Sequence, residues 1–403
     1  MLKGIKIGVY VTGGIAAYKC PDLVRHLIKE GAEVRVGITT AALKFVTPFT
    51  FEVLTKYPVL MEESSYPDPV GHIHLADWLD MALVVPATAT TMAKLAQGIA
   101  DNEVTSSLLA VNKPRLFVPA MNNKMWANPA TQRNISQLKA DGNIILDPAT
   151  GFLAEGYEGK GRMPEVKEIL NAVLAMVAMS QINPDLDLSG KKVLISAGGT
   201  QEAIDPVRFI SNHSSGKMGL AIAHLAAMAG AQTTLVRTSS AKDLPVIPEI
   251  NVIDIENARE LYQVMHQEID NSDIVVMAAA VSDYRVAQES DQKIKKDKNQ
   301  ENAGLHLDLM ENPDILASLP KDKAVVVGFA AETQQVLEHA QMKLKKKGAD
   351  MIVANDVSRS DIGFGTEHNA VTLVTDSENI PIAKASKFQI ACHILSLANR
   401  IQK

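Results

Sequence analysis

The sequence predicts a two-domain α/β protein in which each domain is built on parallel strands. Three observations carry that prediction. A strand, glycine turn, helix, glycine, strand pattern occurs at residues 6–39 and again at 191–238. Each copy reads as a βαβ unit, which demands a right-handed crossover between parallel strands. The remaining strand candidates are short continuous apolar runs, as expected for strands covered on both faces. A polar segment at 181–190, with one proline and one glycine, separates the two halves.

In the first half, Val9–Val11 begin the first strand, and Leu23, Leu27 and Ile28 mark one face of the helix that follows. Gly31 ends that helix and "AEVRVGIT" starts the next strand. "MALVVPAT" and "RLFVPAM" are further strands. In the second half, "KKVLISAGGT" opens the pattern, and "DIVVMAAA", "AVVVGFAA" and "DMIVAND" continue it. A helix ends near Ser180, so the expected domains are 1–186 and 190–403. Several strands end in Pro, Ala, Thr, Asn or Asp, where an open α/β sheet places its ligand crevice. Two ligand sites are therefore expected, one at the strand ends of each domain.

Composition bounds the function. The chain has 403 residues, 46% of them hydrophobic and 21% charged, enough for two cores. A net charge of −6 argues against a general nucleic-acid binder. Two cysteines, Cys20 and Cys392, make no disulfide framework, which fits a reducing compartment. No apolar stretch is longer than "AVLAMVAM" at 172–179, which is far short of a membrane span. These features predict a soluble, cytoplasmic protein with no membrane partner.

Neither half carries a G-x-G-x-x-G fingerprint or a phosphate loop of the G-x-x-x-x-G-K type. "TGGIAAYK" and "SAGGTQE" are glycine turns, equally compatible with a bare βα turn and with a phosphate cradle at a helix N-terminus. "GHIHLADW" places His72 at the start of a helix, sharing a face with Leu75, Ala76 and Leu79. The helix dipole and partial burial favour neutral imidazole there, a form suited to general-base work. A capping or core histidine fits the same spacing. A zinc site fits less well, because no third ligand stands nearby.

The blocks "TGGIAAYK", "HIHLADW", "PATATTMAKLAQGIADN", "PAMNNKMW" and "GFLAEGYEGKGRM" occur in the order found in flavin-dependent cysteine decarboxylases. The first half resembles that family, phosphopantothenoylcysteine decarboxylases included, almost end to end. The resemblance implies a flavodoxin-like parallel-sheet flavoprotein domain that binds FMN and removes the carboxylate of a C-terminal cysteine. It implies that His72 is the catalytic histidine, assisting thiol deprotonation, and that Asn122 holds the substrate carboxylate. It places Gly13, Gly14, Thr39, Thr88 and Met121 near the flavin or its phosphate. One departure stands out: many members carry "ACG" in the flap, with a proton-donating cysteine, whereas this chain has "AEG". Glu155, or nearby Tyr157, is the expected replacement.

The second half has a loop dense in Gly, Ser and Asn at 196–219, with N–H groups and short donors suited to an anion. Lys343 and Lys347, four residues apart, share a helix face, and "KIKKDK" begins at Lys293. A solvated basic face accounts for these lysines as simply as polyphosphate contact does. "DPVRFISNHSSGKMG", "AAAVSDYR", "KIKK", "NPDI", "GFAAET" and "ANDV" together resemble phosphopantothenate–cysteine ligase. That resemblance implies a Rossmann-like ligase domain that joins 4′-phosphopantothenate to L-cysteine through an acyl-cytidylate made from CTP, with Mg2+ on the triphosphate. Asn212 would contact the acyl-cytidylate and Lys293 would support activation. Met277, Ala278, Ala279, Asp283, Asn312, Pro313, Asp314, Ile315, Phe329, Lys343 and Lys347 would form the nucleotide site. No metal ligands are assigned. The product, 4′-phosphopantothenoylcysteine, is the substrate of the first half. Both resemblances imply a homo-oligomer, with trimer-based decarboxylase domains and paired ligase domains.

Two other readings fit less of the sequence. A nicotinamide dehydrogenase would need the missing dinucleotide fingerprint. A non-catalytic binding protein would not need His72 and Asn122 together.

Overall fold

The computed structural model describes residues 1–62, 68–295, 305–332, 334–356 and 366–401. The chain divides into two compact units, one of residues 1–177 with 247–249, the other of residues 178–246 with 250–403.

The first unit alternates strands and helices. It begins with β1 (Lys6–Val11), α1 (Cys20–Lys29), β2 (Glu33–Ile38), α2 (Pro48–Thr55), α3 (Gly71–Trp78) and β3 (Met81–Ala87). It continues through α4 (Ala89–Ala96), α5 (Glu103–Ala110), β4 (Arg115–Pro119), the short α6 (Asn123–Trp126), α7 (Pro129–Ala140) and β5 (Ile144–Ile145). A hairpin of β6 (Ala149–Phe152) and β7 (Glu158–Arg162) precedes α8 (Val166–Ile182). The central sheet has the order β2-β1-β3-β4-β5 and every pairing in it is parallel. That is the flavodoxin order, with its switch point between β1 and β3. All seven residues of β3 are buried, which explains their unbroken apolar run. The core around this sheet gathers Tyr10, Leu79, Leu108, Phe117 and Trp126. Tyr10 is fully buried and keeps its hydroxyl satisfied on Ser107 at 2.7 Å. The expected helix end near Ser180 falls within two residues of the end of α8.

The second unit opens with β8 (Lys192–Ala197), a hairpin of β9 (Gln201–Asp205) and β10 (Arg208–Ser211), α9 (Lys217–Met228), β11 (Gln232–Thr238) and β12 (Asn251–Ile255). Then come α10 (Ala258–Glu268), β13 (Ile274–Met277), β14 (Tyr284–Val286), β15 (Leu309–Glu311), α11 (Ile315–Ser318) and β16 (Val325–Glu332). The unit closes with α12 (Val336–Lys347), β17 (Met351–Asp356), β18 (His368–Val374), β19 (Asn379–Ser386) and α13 (Lys387–Arg400). Its large sheet runs β12-β11-β8-β13-β16-β17-β18-β19. The six parallel strands, numbered among themselves, have the dinucleotide-fold order 3-2-1-4-5-6, with the switch between β8 and β13.

One part of this sheet departs from the parallel expectation. β18 and β19 pair antiparallel, so the sheet is mixed. Their burial alternates along each strand instead of running continuously, because one face of this edge stays open to solvent. That weaker signal is why the continuous-run criterion missed them.

Glycine packs α9 onto β8. A Cβ at Gly219 would lie 2.7 Å from the Ala197 Cβ and 2.8 Å from the Ser196 carbonyl oxygen. Neither backbone can yield locally, so Gly219→Ala should destabilise this unit by about 1–2 kcal/mol despite the better helix propensity of alanine. Thermal unfolding followed by circular dichroism should show a midpoint lower by about 2–8 °C. An unchanged midpoint would mean that α9 does not depend on this approach.

Candidate active sites

In the first unit, Thr12 follows β1 directly and is buried. Its hydroxyl donates to the Pro86 carbonyl at 2.5 Å, and it accepts the Thr88 N–H at 3.1 Å. The ends of β1 and β3 are thereby fastened together at the switch point. The chain then turns through Gly13 and Gly14. A Cβ at Gly13 would meet the Ala41 Cβ at 2.4 Å and the Ala41 carbonyl carbon at 2.8 Å, so only glycine lets this turn nest against residues 39–42. Thr88 caps α4 by accepting the Thr91 N–H.

A cavity of about 870 Å3 opens between these turns. Gly13, Gly14, Thr39, Thr88, Met121, Asn122 and Glu155 all line it, as do Ile15, Met125, Arg162 and Met163. The glycine turn, the threonine hydroxyls and the N-terminus of α4 form a cradle suited to an anion. The methionines and Ile15 supply an apolar wall beside it. The buried Thr39 hydroxyl has no hydrogen-bond partner among the described residues. A buried polar atom without a partner at a cavity wall points to a ligand that completes it. This donor set fits a flavin mononucleotide.

Asn122 occupies the turn between β4 and α6. Its Oδ1 caps α6 by accepting the Lys124 N–H at 2.9 Å, and its Nδ2 donates to the Tyr157 hydroxyl at 2.6 Å. The Tyr157 hydroxyl in turn donates to Asn123 Oδ1 at 3.3 Å. The β6–β7 flap is therefore latched to the Asn122 turn. Two glycines permit the close fit: a Cβ at Gly161 would fall 2.1 Å from the Met121 carbonyl oxygen, and one at Gly159 would fall 2.9 Å from the Asn123 Cβ. An amide has two N–H donors, so one remains for a ligand. Trp126 is buried behind this turn.

His72 is placed differently. It is the second residue of α3, its side chain is 27% exposed, and it is not among the cavity-lining residues of its own chain. Its Nδ1 lies 3.1 Å from Oε2 of Glu103, the first residue of α5. The expectation of a ring governed by burial and dipole omitted this carboxylate. Nothing in sequence spacing marks Glu103, which stands 31 residues away and meets His72 only because α3 and α5 pack together. Cys20 and Cys392 are both buried and far from the flap in sequence. Burial pushes the Cys20 thiol up, and it donates to the Val85 carbonyl.

The second unit repeats the arrangement at β8 and β13. Ala280 N–H donates to the Gly198 carbonyl at 2.8 Å, and Ser282 N–H donates to the Thr200 hydroxyl at 2.9 Å. A cavity of about 820 Å3 lies at these strand ends. It is lined by Asn212, Met277, Ala278, Ala279, Asp283, Asn312, Pro313, Asp314, Ile315, Phe329, Lys343 and Lys347. Asn212 Nδ2 is held by the Ala280 and Val281 carbonyls at 3.3 and 3.1 Å. Asn312 Nδ2 donates to the Ser282 carbonyl at 2.9 Å. Lys343 donates to the Phe329 carbonyl at 2.8 Å, and burial, reinforced by the like charge of Lys347, pulls its ammonium below the usual lysine range. Lys347 pairs with Asp314. Burial opposes ionisation of Asp314, but the Lys347 ammonium and the Ala317 N–H outweigh it and hold the carboxyl below its ordinary range.

Lys293 is exposed and outside the cavity lining. The backbone beside it is anchored: Ile294 N–H donates to Asp205 Oδ2 at 3.1 Å, and its carbonyl accepts from Arg208 at 3.0 Å. The end of the basic run, at 296–298, lies outside the described residues. Sequence reasoning missed Lys387. This lysine is 6% exposed, begins α13, lines the cavity, and is pushed down to about 8 by burial. A lysine at a helix start gives no sequence signal of facing inward. Ser282 Oγ and Asn355 Oδ1 are buried in the same wall without partners among the described residues. This wall suits a polar, anionic ligand.

Comparison with known proteins covers the whole chain. Residues 1–178 match the Flavoprotein family model, and residues 188–401 match the model described as the DNA/pantothenate metabolism flavoprotein C-terminal domain. The coenzyme A biosynthesis bifunctional protein CoaBC of Vibrio cholerae is 42% identical, over 98% of this chain and 98% of its own. The protein of the same name from Bacillus subtilis is 40% identical, over 98% of this chain and 97% of its own. A solved structure of a CoaBC C-terminal domain is 37% identical, covering 52% of this chain and 94% of its own, with a TM-score of 0.43.

The Gly13 approach gives a direct test of the first cavity. Gly13→Ala should force the turn away from Ala41 and lower flavin retention at least about tenfold, a loss of roughly 1.4 kcal/mol in binding. Visible absorption of the purified protein measures it, with circular dichroism to verify folding. Full flavin content in a folded Gly13→Ala chain would place the flavin elsewhere.

Proposed function

The chain belongs to the family of bifunctional coenzyme A biosynthesis proteins, and we propose that its two cavities divide that family's two reactions between them. The second cavity joins 4′-phosphopantothenate to L-cysteine at the expense of CTP. The first removes the carboxylate from the resulting 4′-phosphopantothenoylcysteine and leaves 4′-phosphopantetheine. One observation carries the reading: the residues that the sequence marks for each reaction, His72, Tyr157 and Lys293 apart, line one strand-end cavity in each unit.

In the ligase cavity, Lys343 and Lys347 neutralise nucleotide phosphates, and the Met277–Ala279 backbone and Phe329 border the rest of the nucleotide. Asn212, fixed by two carbonyls, presents its amide to the acyl-cytidylate. Lys293, on its anchored segment, supplies charge during activation. Among the described residues no group of three acidic, His or Cys side chains is arranged to hold a metal. We place magnesium on the triphosphate, and Asp283 is one of the cavity carboxylates able to meet it.

In the decarboxylase cavity, bound FMN supplies a reversible hydride acceptor, which turns the cysteine side chain into an electron sink for decarboxylation. Asn122 holds the carboxylate through the N–H that Tyr157 leaves free. His72 takes the thiol proton. Because His72 lies outside the cavity of its own chain, a second copy supplies it, which supports an oligomeric decarboxylase; its trimer-based form and the pairing of the ligase domains rest on the resemblance. The final proton goes to the carbon that the carboxylate has left. Tyr157 stands outside the lining of its own chain's cavity but is hydrogen-bonded to the amide that held that carboxylate, and we assign the proton to it rather than to Glu155, which lines the flap wall. Both stand where relatives in this family carry the flap cysteine or its neighbours. The assigned compartment is the cytoplasm; no helix among the described residues is long and apolar enough to cross a membrane.

Release of CMP and of carbon dioxide, followed separately with phosphopantothenate, cysteine and CTP, tests the division. Asn122→Asp sets charge against the substrate carboxylate and should cut carbon dioxide release at least about a hundredfold, roughly 2.7 kcal/mol, while sparing CMP release. Asn212→Asp should cut CMP release to a similar degree and, with phosphopantothenoylcysteine supplied directly, spare carbon dioxide release. Either variant slowing both reactions equally would contradict the assignment.

Mixed oligomers test the shared site. Co-expressed His72→Asn and Asn122→Asp chains should regain decarboxylation that neither has alone, because some sites then hold one intact copy of each residue. No recovery would mean that His72 serves its own chain. Mass analysis of the product tests the proton donor. Tyr157→Phe should release the ene-thiol and Glu155→Gln the saturated thiol; the opposite pattern would assign the proton to Glu155.

A further inference from the structure

We propose that Glu103 is a positioning residue for decarboxylation: its carboxylate fixes the tautomer and the ring orientation of His72. The inference rests on reading His72 as the catalytic histidine, and it assigns a role that the resemblance to the decarboxylases does not supply.

The contact joins two helix starts. His72 is the second residue of α3, Glu103 the first of α5, and Nδ1 meets Oε2 at 3.1 Å. A carboxylate only accepts hydrogen bonds, so the ring nitrogen facing it must carry a proton. In a neutral imidazole this leaves the lone pair on Nε2, the nitrogen turned away from Glu103. The same carboxylate stabilises the imidazolium formed when Nε2 takes a proton from a thiol. Without it, both tautomers are available and the ring is free to turn.

Glu103 is itself held in place. Its backbone N–H donates to Glu62 Oε1 at 2.6 Å. Asn102, one residue earlier, caps α5 by accepting the Thr105 N–H at 3.0 Å, and the Thr105 hydroxyl accepts the Asn102 N–H at 3.3 Å. An acidic side chain in the first turn of a helix also suits the positive end of the dipole. Asn102 lines the flavin cavity of its own chain, so the start of α5 borders that cavity, while the His72–Glu103 pair lies outside the lining, on the side offered to a second copy.

Among the described residues, the other acids nearby are committed elsewhere. Asp68 lies within electrostatic reach of His72 but is bonded to His74 at 2.7 Å and accepts the Val70 N–H. Glu62 is bonded to the Glu103 backbone. Among the described residues, Glu103 is the acid hydrogen-bonded to the His72 ring. With the pair 27% and 31% exposed, solvent screens the ion pair and leaves it little value as a fold contact.

The test uses the full-length flavoprotein, with its flavin content and circular dichroism as the measures of folding of the first unit. kcat and KM for decarboxylation of phosphopantothenoylcysteine are measured for Glu103→Ala, His72→Asn and the double variant. Glu103→Ala should lower kcat about 10- to 100-fold, less than the loss at a fully buried triad acid, with KM within about twofold. The double variant should be no slower than His72→Asn alone, because both changes remove one coupled device. A wild-type kcat in Glu103→Ala, or losses that multiply in the double variant, would overturn the proposal. A wild-type rate in His72→Asn would instead remove the catalytic reading on which it rests, and the proposal with it.

Discussion

Both units depend on one constraint: a parallel sheet covered by helices on both faces leaves polar chemistry only at its edges and strand ends. β3 shows it most plainly, with all seven residues buried. At the carboxyl end of such a strand the ladder stops, and backbone groups must find other partners. The two units solve this in the same way. Thr12 ties the end of β1 to β3, and Thr200 with Gly198 ties the end of β8 to the segment after β13. Each tie sits where the strand order reverses, and each has a cavity beside it.

From that common frame the two sites diverge through their loops. In the first, glycines bring backbones close enough to shape a slot with methionines on one side and threonine hydroxyls on the other. The Asn122–Tyr157 latch then holds the flap against the turn after β4. In the second, the wall gathers lysines. Lys343 and Lys387 are both cations that burial disfavours. A protein tolerates that cost where an anionic ligand offsets it. The unpartnered Ser282 hydroxyl can donate to such a ligand, whereas the unpartnered Asn355 amide oxygen calls for a donor group on it.

Much of this was legible in the residues. Continuous apolar runs identified the parallel strands, because burial on both faces removes alternation. Glycine turns identified the loops at the first two strand ends. The resemblance carried most site residues to one cavity per unit. What escaped did so for physical reasons. β18 and β19 form a half-exposed antiparallel edge, whose alternating pattern is short and weak. Glu103 and Lys387 act through tertiary contact, and a single charged residue at a helix start carries no mark of the partner it will face. His72 was recognised by its block, yet its distance from the cavity of its own chain is a property of packing that no spacing reports.

The central claim is that the two strand-end cavities are the flavin and nucleotide sites of a bifunctional enzyme. A crystal structure of the full chain with FMN and CTP tests it most directly. The account predicts flavin density against Gly13, Gly14, Thr39 and Met121, and nucleotide density bordered by Met277–Ala279 with phosphates toward Lys343 and Lys347. Flavin or CTP bound outside these two cavities, or both in one of them, would contradict it.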